Sequence, residues 1–73
     1  MTLAERLAEN LRVRRGSLTQ EAFARKLGIS QATLTRLESA AQNTTIKTLE
    51  RISGALRCDV AELLGDPNPN RRR

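Results

Sequence analysis

The stretch GISQATLTRLE, Gly28 to Glu38, places its polar groups in an uncommon way. Ile29, Leu34 and Leu37 recur at the spacing of one helix face. The outward positions hold Gln31, Ala32, Thr33, Thr35 and Arg36, with none of the Glu/Lys mixture that solubilises an ordinary surface helix. These side chains share a chemistry. Gln pairs bidentately with adenine, Arg with guanine, and Ala and Thr methyls meet the thymine methyl. A Glu face would repel phosphates, and a Lys face would grip them without discriminating bases. The set suits the reading of base edges.

Other chemistries find little material. The chain of 73 residues has no histidine, which removes the commonest general base and the commonest zinc ligand together. Cys58 is the single cysteine, so neither an intrachain disulfide nor a thiolate metal cluster is available, and it reads as a small apolar filler. No nucleophile stands beside a base. The expectation is therefore no enzyme, no metal and no cofactor, and no small-molecule ligand is evident. The net charge of +5 favours a polyanionic partner. No apolar run approaches the ~18 residues of a membrane span, and nothing resembles a signal peptide. A cytoplasmic location is expected.

The elements that position this face are all helical. Leu3, Leu7 and Leu11, with Ala4 and Ala8, mark one face of a first helix. Thr2 caps its start, Glu5 completes a capping box, and Gly16 ends it. Thr19 caps a second helix carrying Phe23, Ala24 and Leu27, stopped by Gly28. Ser30 caps the third. Thr44 or Thr45 caps a fourth, whose apolar face is expected to be Ile46, Leu49, Ile52 and Leu56. Asp59 caps a short fifth with Val60, Leu63 and Leu64, closed by Gly65. No stretch alternates with period two. The expected organisation is an all-α, five-helix domain over residues 1–65, followed by a basic flexible tail, 66–73.

Helices two and three share the pattern Q-x3-A-x3-G-I-x4-L-x2-L-E from Gln20 to Glu38. Ala24 is small where the third helix crosses close, and Gly28 takes the positive φ of a tight turn. Ile29, Leu34 and Leu37 fix the third helix to the core and leave its opposite face projecting. This is a helix-turn-helix, whose second helix enters the major groove.

From Leu7 to Leu64 the chain resembles the Cro/repressor class of helix-turn-helix proteins, the xenobiotic-response-element family that includes lambdoid phage repressors. The resemblance rests on LTQEAFARKLGIS, LTRLESAAQNTTIKTLERI and ALRCDVAELLG. QNTTIKTLE is most similar to small restriction-modification controller proteins and to some phage or antitoxin regulators. The resemblance implies a lambda-repressor-like domain with base readout by Gln31, Ala32, Thr33, Thr35 and Arg36. Phosphate contacts are expected from Gln20, Ser30, Asn43 and Thr48. Gln20 and Gln31, eleven apart, resemble a pair in which the first bonds a phosphate and braces the second. Glu38 resembles an acid that pairs with a first-helix arginine. Arg12 is the first candidate, with Arg14 or Arg15 as substitutes because the RRGSL turn is a residue longer than usual. Ala40 stands where the family often has Gly, so strain is expected there. Ala41 replaces a frequent cation and Thr44 a frequent Pro.

Val60, Leu63 and Leu64 exceed what a short terminal helix needs, and the resemblance implies a homodimer interface there. The implied function is a sequence-specific DNA-binding transcriptional regulator, repressor or activator. It would hold a pseudo-palindromic operator as a homodimer, with successive major grooves about 34–36 Å apart. The alternative is an antitoxin-like protein-interaction module with secondary DNA binding. With eight residues after the last helix, little chain is expected for wrapping a partner. RNA binding is disfavoured because Phe23 is the only aromatic residue.

Overall fold

Every helix begins where a short polar side chain can satisfy its first amide groups. The computed structural model describes residues 1–41 and 44–67. In chain order the helices are α1 (Leu3–Arg15), α2 (Gln20–Leu27), α3 (Gln31–Glu38), α4 (Ile46–Leu56) and α5 (Val60–Leu64). Thr2 Oγ1 accepts from the Glu5 N–H at 3.1 Å, and the Glu5 carboxylate accepts from the Thr2 N–H at 2.7 Å. Thr19 caps α2 through the Ala22 N–H at 3.0 Å, and Ser30 caps α3 through the Thr33 N–H at 3.0 Å. Of the two threonines before α4, Thr45 is the cap, accepting from the Thr48 N–H at 3.1 Å. At α5 the Glu62 carboxylate accepts from the Asp59 N–H at 2.8 Å.

The ends of α2, α3 and α4 share one hydrogen-bond pattern. Ile29 N–H reaches Ala24 C=O at 3.1 Å while Gly28 N–H reaches Arg25 C=O at 3.2 Å. Ala41 and Ala40 repeat this onto Arg36 and Leu37, and Cys58 and Arg57 onto Ser53 and Gly54. These are Schellman ends, which require one residue at positive φ. Gly28 sits there at 74°, but Ala40 at 57° and Arg57 at 54° carry side chains. The strain expected at Ala40 is present, and Arg57 shares it.

α1 packs on α3 and α5, while α2 packs on α3 and α4. The centre is Leu7, Leu11, Phe23, Leu27, Leu34, Leu37, Ile52 and Leu63, with Ala24 buried where α2 meets α3. A Phe or Leu removed from such a core costs roughly 2–5 kcal/mol. A domain this small holds only about 3–5 kcal/mol of net stability, so each of these positions decides folding. Asn10 of α1 ties α5 down, its Nδ2 donating to the carbonyls of Leu63 at 2.7 Å and Gly65 at 3.1 Å.

Two expectations about apolar side chains are corrected. Ile46 is 76% exposed and outside the core. It is the first residue of α4, and helical side chains lean toward the N-terminus, so it overhangs the helix start. Leu63, expected at a dimer interface, is 0% exposed and belongs to the core of the single chain. With so few large side chains available, α5 uses it to close the α1–α4 space.

Among the described residues no helix is long and apolar enough to cross a membrane. The tail cations Arg71–Arg73 lie outside the described residues.

Candidate nucleic-acid interface

α3 divides sharply between its faces. Leu34 is 0% and Leu37 2% exposed, whereas Gln31, Ala32, Thr35 and Arg36 are all exposed. At 3.6 residues per turn, these four occupy one continuous strip, opposite the two leucines. Thr33 lies at its edge. Half-buried, its hydroxyl meets Ser30 Oγ at 2.8 Å, so it closes the helix start instead of standing on the strip.

The C-terminal end of α3 is tied to three earlier residues. Glu38 is 4% exposed, and its carboxylate accepts from Arg15 Nε at 3.2 and 2.9 Å. Gln20 Nε2 donates to the same carboxylate at 3.0 Å. Arg12, the first candidate for the ion pair, instead donates to the main-chain carbonyl of Glu38. Arg15 takes the carboxylate because it occupies the last turn of α1, beside the α1–α2 turn, where its Nη1 also reaches Leu18 C=O at 3.1 Å. The longer RRGSL turn left that alternative open.

Gln20 is held differently from the glutamine pair implied by the resemblance. Its Oε1 accepts from Thr35 Oγ1 at 3.1 Å, so its amide bridges Glu38 and Thr35, not Gln31. Nothing in the sequence alone signals this contact. It joins the start of α2 to the last turn of α3, and the crossing of the two helices creates it.

Beside α3 a polar groove runs between the starts of α3 and α4. Ser30, Thr33 and Thr48 line it together with Lys47 and Arg51. Arg51 Nη1 donates to Gly28 C=O at 3.3 Å, holding the cation against the helix-turn-helix turn. Helix N-termini carry partial positive charge, and these hydroxyls and cations add to it. Such a groove suits phosphate oxygens. Sequence reasoning named Ser30 and Thr48 but missed Lys47 and Arg51. Their i, i+4 spacing on one face of α4 was the available signal. Asn43, expected to touch phosphate, lies outside the described residues.

In α5, Val60 and Leu64 are half-buried against the core. Leu64 borders an apolar groove with Leu3, Ala4, Leu7 and Leu49.

Two short helices crossing at a glycine turn, the second offering a hydrogen-bonding strip beside a cationic groove, define a helix-turn-helix DNA-binding domain. The helix-turn-helix family profile matches residues 9–63, and the chain belongs to that family, in its Cro/repressor class. Its function is accordingly that of a DNA-binding transcription regulator. The fold is similar to the crystal structure of hypothetical transcription factor NHTF from Neisseria, with TM-score 0.82 and 26% sequence identity. That likeness covers 97% of this chain and 84% of the other. No curated protein matches the sequence.

Proposed function

We propose that the protein regulates transcription by occupying a pseudo-palindromic operator as a homodimer, with α3 of each copy in a major groove. The observation that carries this is the strip of Gln31, Ala32, Thr35 and Arg36, exposed on a helix whose opposite side carries the buried Leu34 and Leu37. Gln31 and Arg36 are the bidentate readers, and Ala32 offers a methyl to thymine. Ser30, Thr48, Lys47 and Arg51 hold one flanking strand, and Gln20 and Asn43 are further phosphate contacts. Catalysis has no part in this action.

The dimer face is Val60 and Leu64 with the exposed Leu3. This reading is supported by the apolar groove that Leu64 borders, and Leu63 takes no part in it.

The test is selection from random duplex DNA at near-physiological salt, followed by sequencing of the bound pool. A palindrome with half-sites about one helical turn apart is the expected result. A flat pool, with binding that vanishes as salt rises, would leave only counterion-release affinity and defeat the proposal.

A further inference from the structure

Four side chains link the buried edge of α3 to its exposed strip through hydrogen bonds of dictated polarity. Arg15 Nε donates to Glu38, Gln20 Nε2 donates to Glu38 Oε1 at 3.0 Å, and Thr35 Oγ1 lies 3.1 Å from Gln20 Oε1. A guanidinium only donates, and an ionised carboxylate only accepts. Glu38, ion-paired to Arg15, therefore obliges Gln20 to turn its NH2 group inward. The Gln20 carbonyl is left facing Thr35, and a carbonyl oxygen cannot donate. The Thr35 hydroxyl thus commits its single proton to Gln20. What Thr35 has left to offer solvent is lone pairs.

We infer that Thr35 is a base reader of fixed polarity, an acceptor selecting an exocyclic amino group in the major groove. The groups that qualify are adenine N6 and cytosine N4; thymine O4 and guanine O6 or N7 would face lone pairs with lone pairs. This rests on the DNA-reading function proposed above. A hydroxyl free to rotate serves either kind of base. The discrimination therefore originates in Gln20 and Glu38, which act as positioning residues through Thr35. The second hydrogen of the Gln20 amide stays available for a phosphate, so both roles of Gln20 are compatible.

The experiment is the random-duplex selection repeated with Thr35→Val, Thr35→Ser and Gln20→Met, each first checked for folding by circular dichroism and thermal melting. The wild type and Thr35→Ser are expected to prefer adenine or cytosine at one shared position per half-site. A single net hydrogen bond makes that preference about threefold to tenfold. Thr35→Val and Gln20→Met should lose it at that position alone. Gln20→Met would bind more weakly elsewhere only by a factor common to all sequences. An operator whose adenine there is replaced by purine, lacking just the 6-amino group, should weaken the wild type by the same factor and leave Thr35→Val unaffected. With cytosine selected, 2-pyrimidinone serves the same purpose.

The inference is overturned if Thr35→Val alters no position, if the lost preference is for thymine or guanine, or if Gln20→Met keeps the preference intact. A wild-type pool without any enriched site would instead sink the DNA-reading function itself.

Discussion

The two ends of α3 are held by opposite means. Its N-terminal end is set within a few residues: Gly28 turns the chain at φ 74°, and Ser30 caps the helix through the Thr33 N–H. Its C-terminal end depends on residues 18 to 26 positions earlier, with Glu38 gripped by Gln20, Arg15 and Arg12. The chain then leaves through Ala40 in a conformation that suits glycine. A reading helix needs both a defined entry and a defined roll about its axis. The local devices supply the entry, and the distant ones fix the roll by pinning the flank next to Gln31 and Thr35.

The largest effect is expected at the distant end. Arg15→Met would leave the Glu38 carboxylate buried with Gln20 as its remaining side-chain partner. Breaking a buried pair costs about 3–5 kcal/mol, and the quarter exposure of Arg15 argues for the lower figure. Urea unfolding should show most of the domain's stability gone. A loss under 1 kcal/mol would mean that the roll of α3 is set by its leucines alone.

Gly28→Ala comes next. Space is no obstacle, because an added Cβ meets only the Arg51 side chain at 3.7 and 3.8 Å. The cost is the left-handed backbone, about 1 kcal/mol. Thermal melting should fall by roughly 4–8 °C for each kcal/mol in a domain of this size.

Ala40→Gly reverses that logic. It relieves the same strain, offset by a more flexible unfolded chain, for a gain of about 0.5 kcal/mol. Shifts of opposite sign for Gly28→Ala and Ala40→Gly would show that the same left-handed strain acts at both turns. A loss at Ala40 would show that its methyl contributes packing.

The smallest effect is at a purely local cap, that of α1. Hydrogen bonds from the Thr2 backbone and then its hydroxyl hold the Glu5 carboxyl below the usual glutamate range. A depressed pKa stabilises the fold above the unfolded value of about 4.3 and loses that stabilisation as pH falls through the folded one. Glu5→Gln should therefore flatten the acid limb of a melting profile slightly. An unchanged limb would mean that the capping box is already open in solution.

Legibility follows the range of the interaction. The caps Thr2, Thr19, Ser30 and Asp59, the Gly28 turn, and Leu34 and Leu37 facing inward were all readable, because each depends on neighbours within one or two turns. The expectation for Ile46 failed because periodicity knows the face of a residue but not where the core stops. The choice of Arg15 over Arg12, the Gln20–Thr35 bond and the Asn10 tie to α5 were invisible as geometry. They join residues far apart in sequence, and several polar partners fit each position on type alone.

By itself, then, the amino-acid order determined five helices, their limits and the chemistry of the strip, since local hydrogen bonds and apolar periodicity suffice for these. Only the tertiary structure decided which leucine of α5 is core, which arginine meets Glu38, and which way the Thr35 hydroxyl points. Those outcomes follow from the angle and depth at which the helices cross, a compromise reached by the whole core at once.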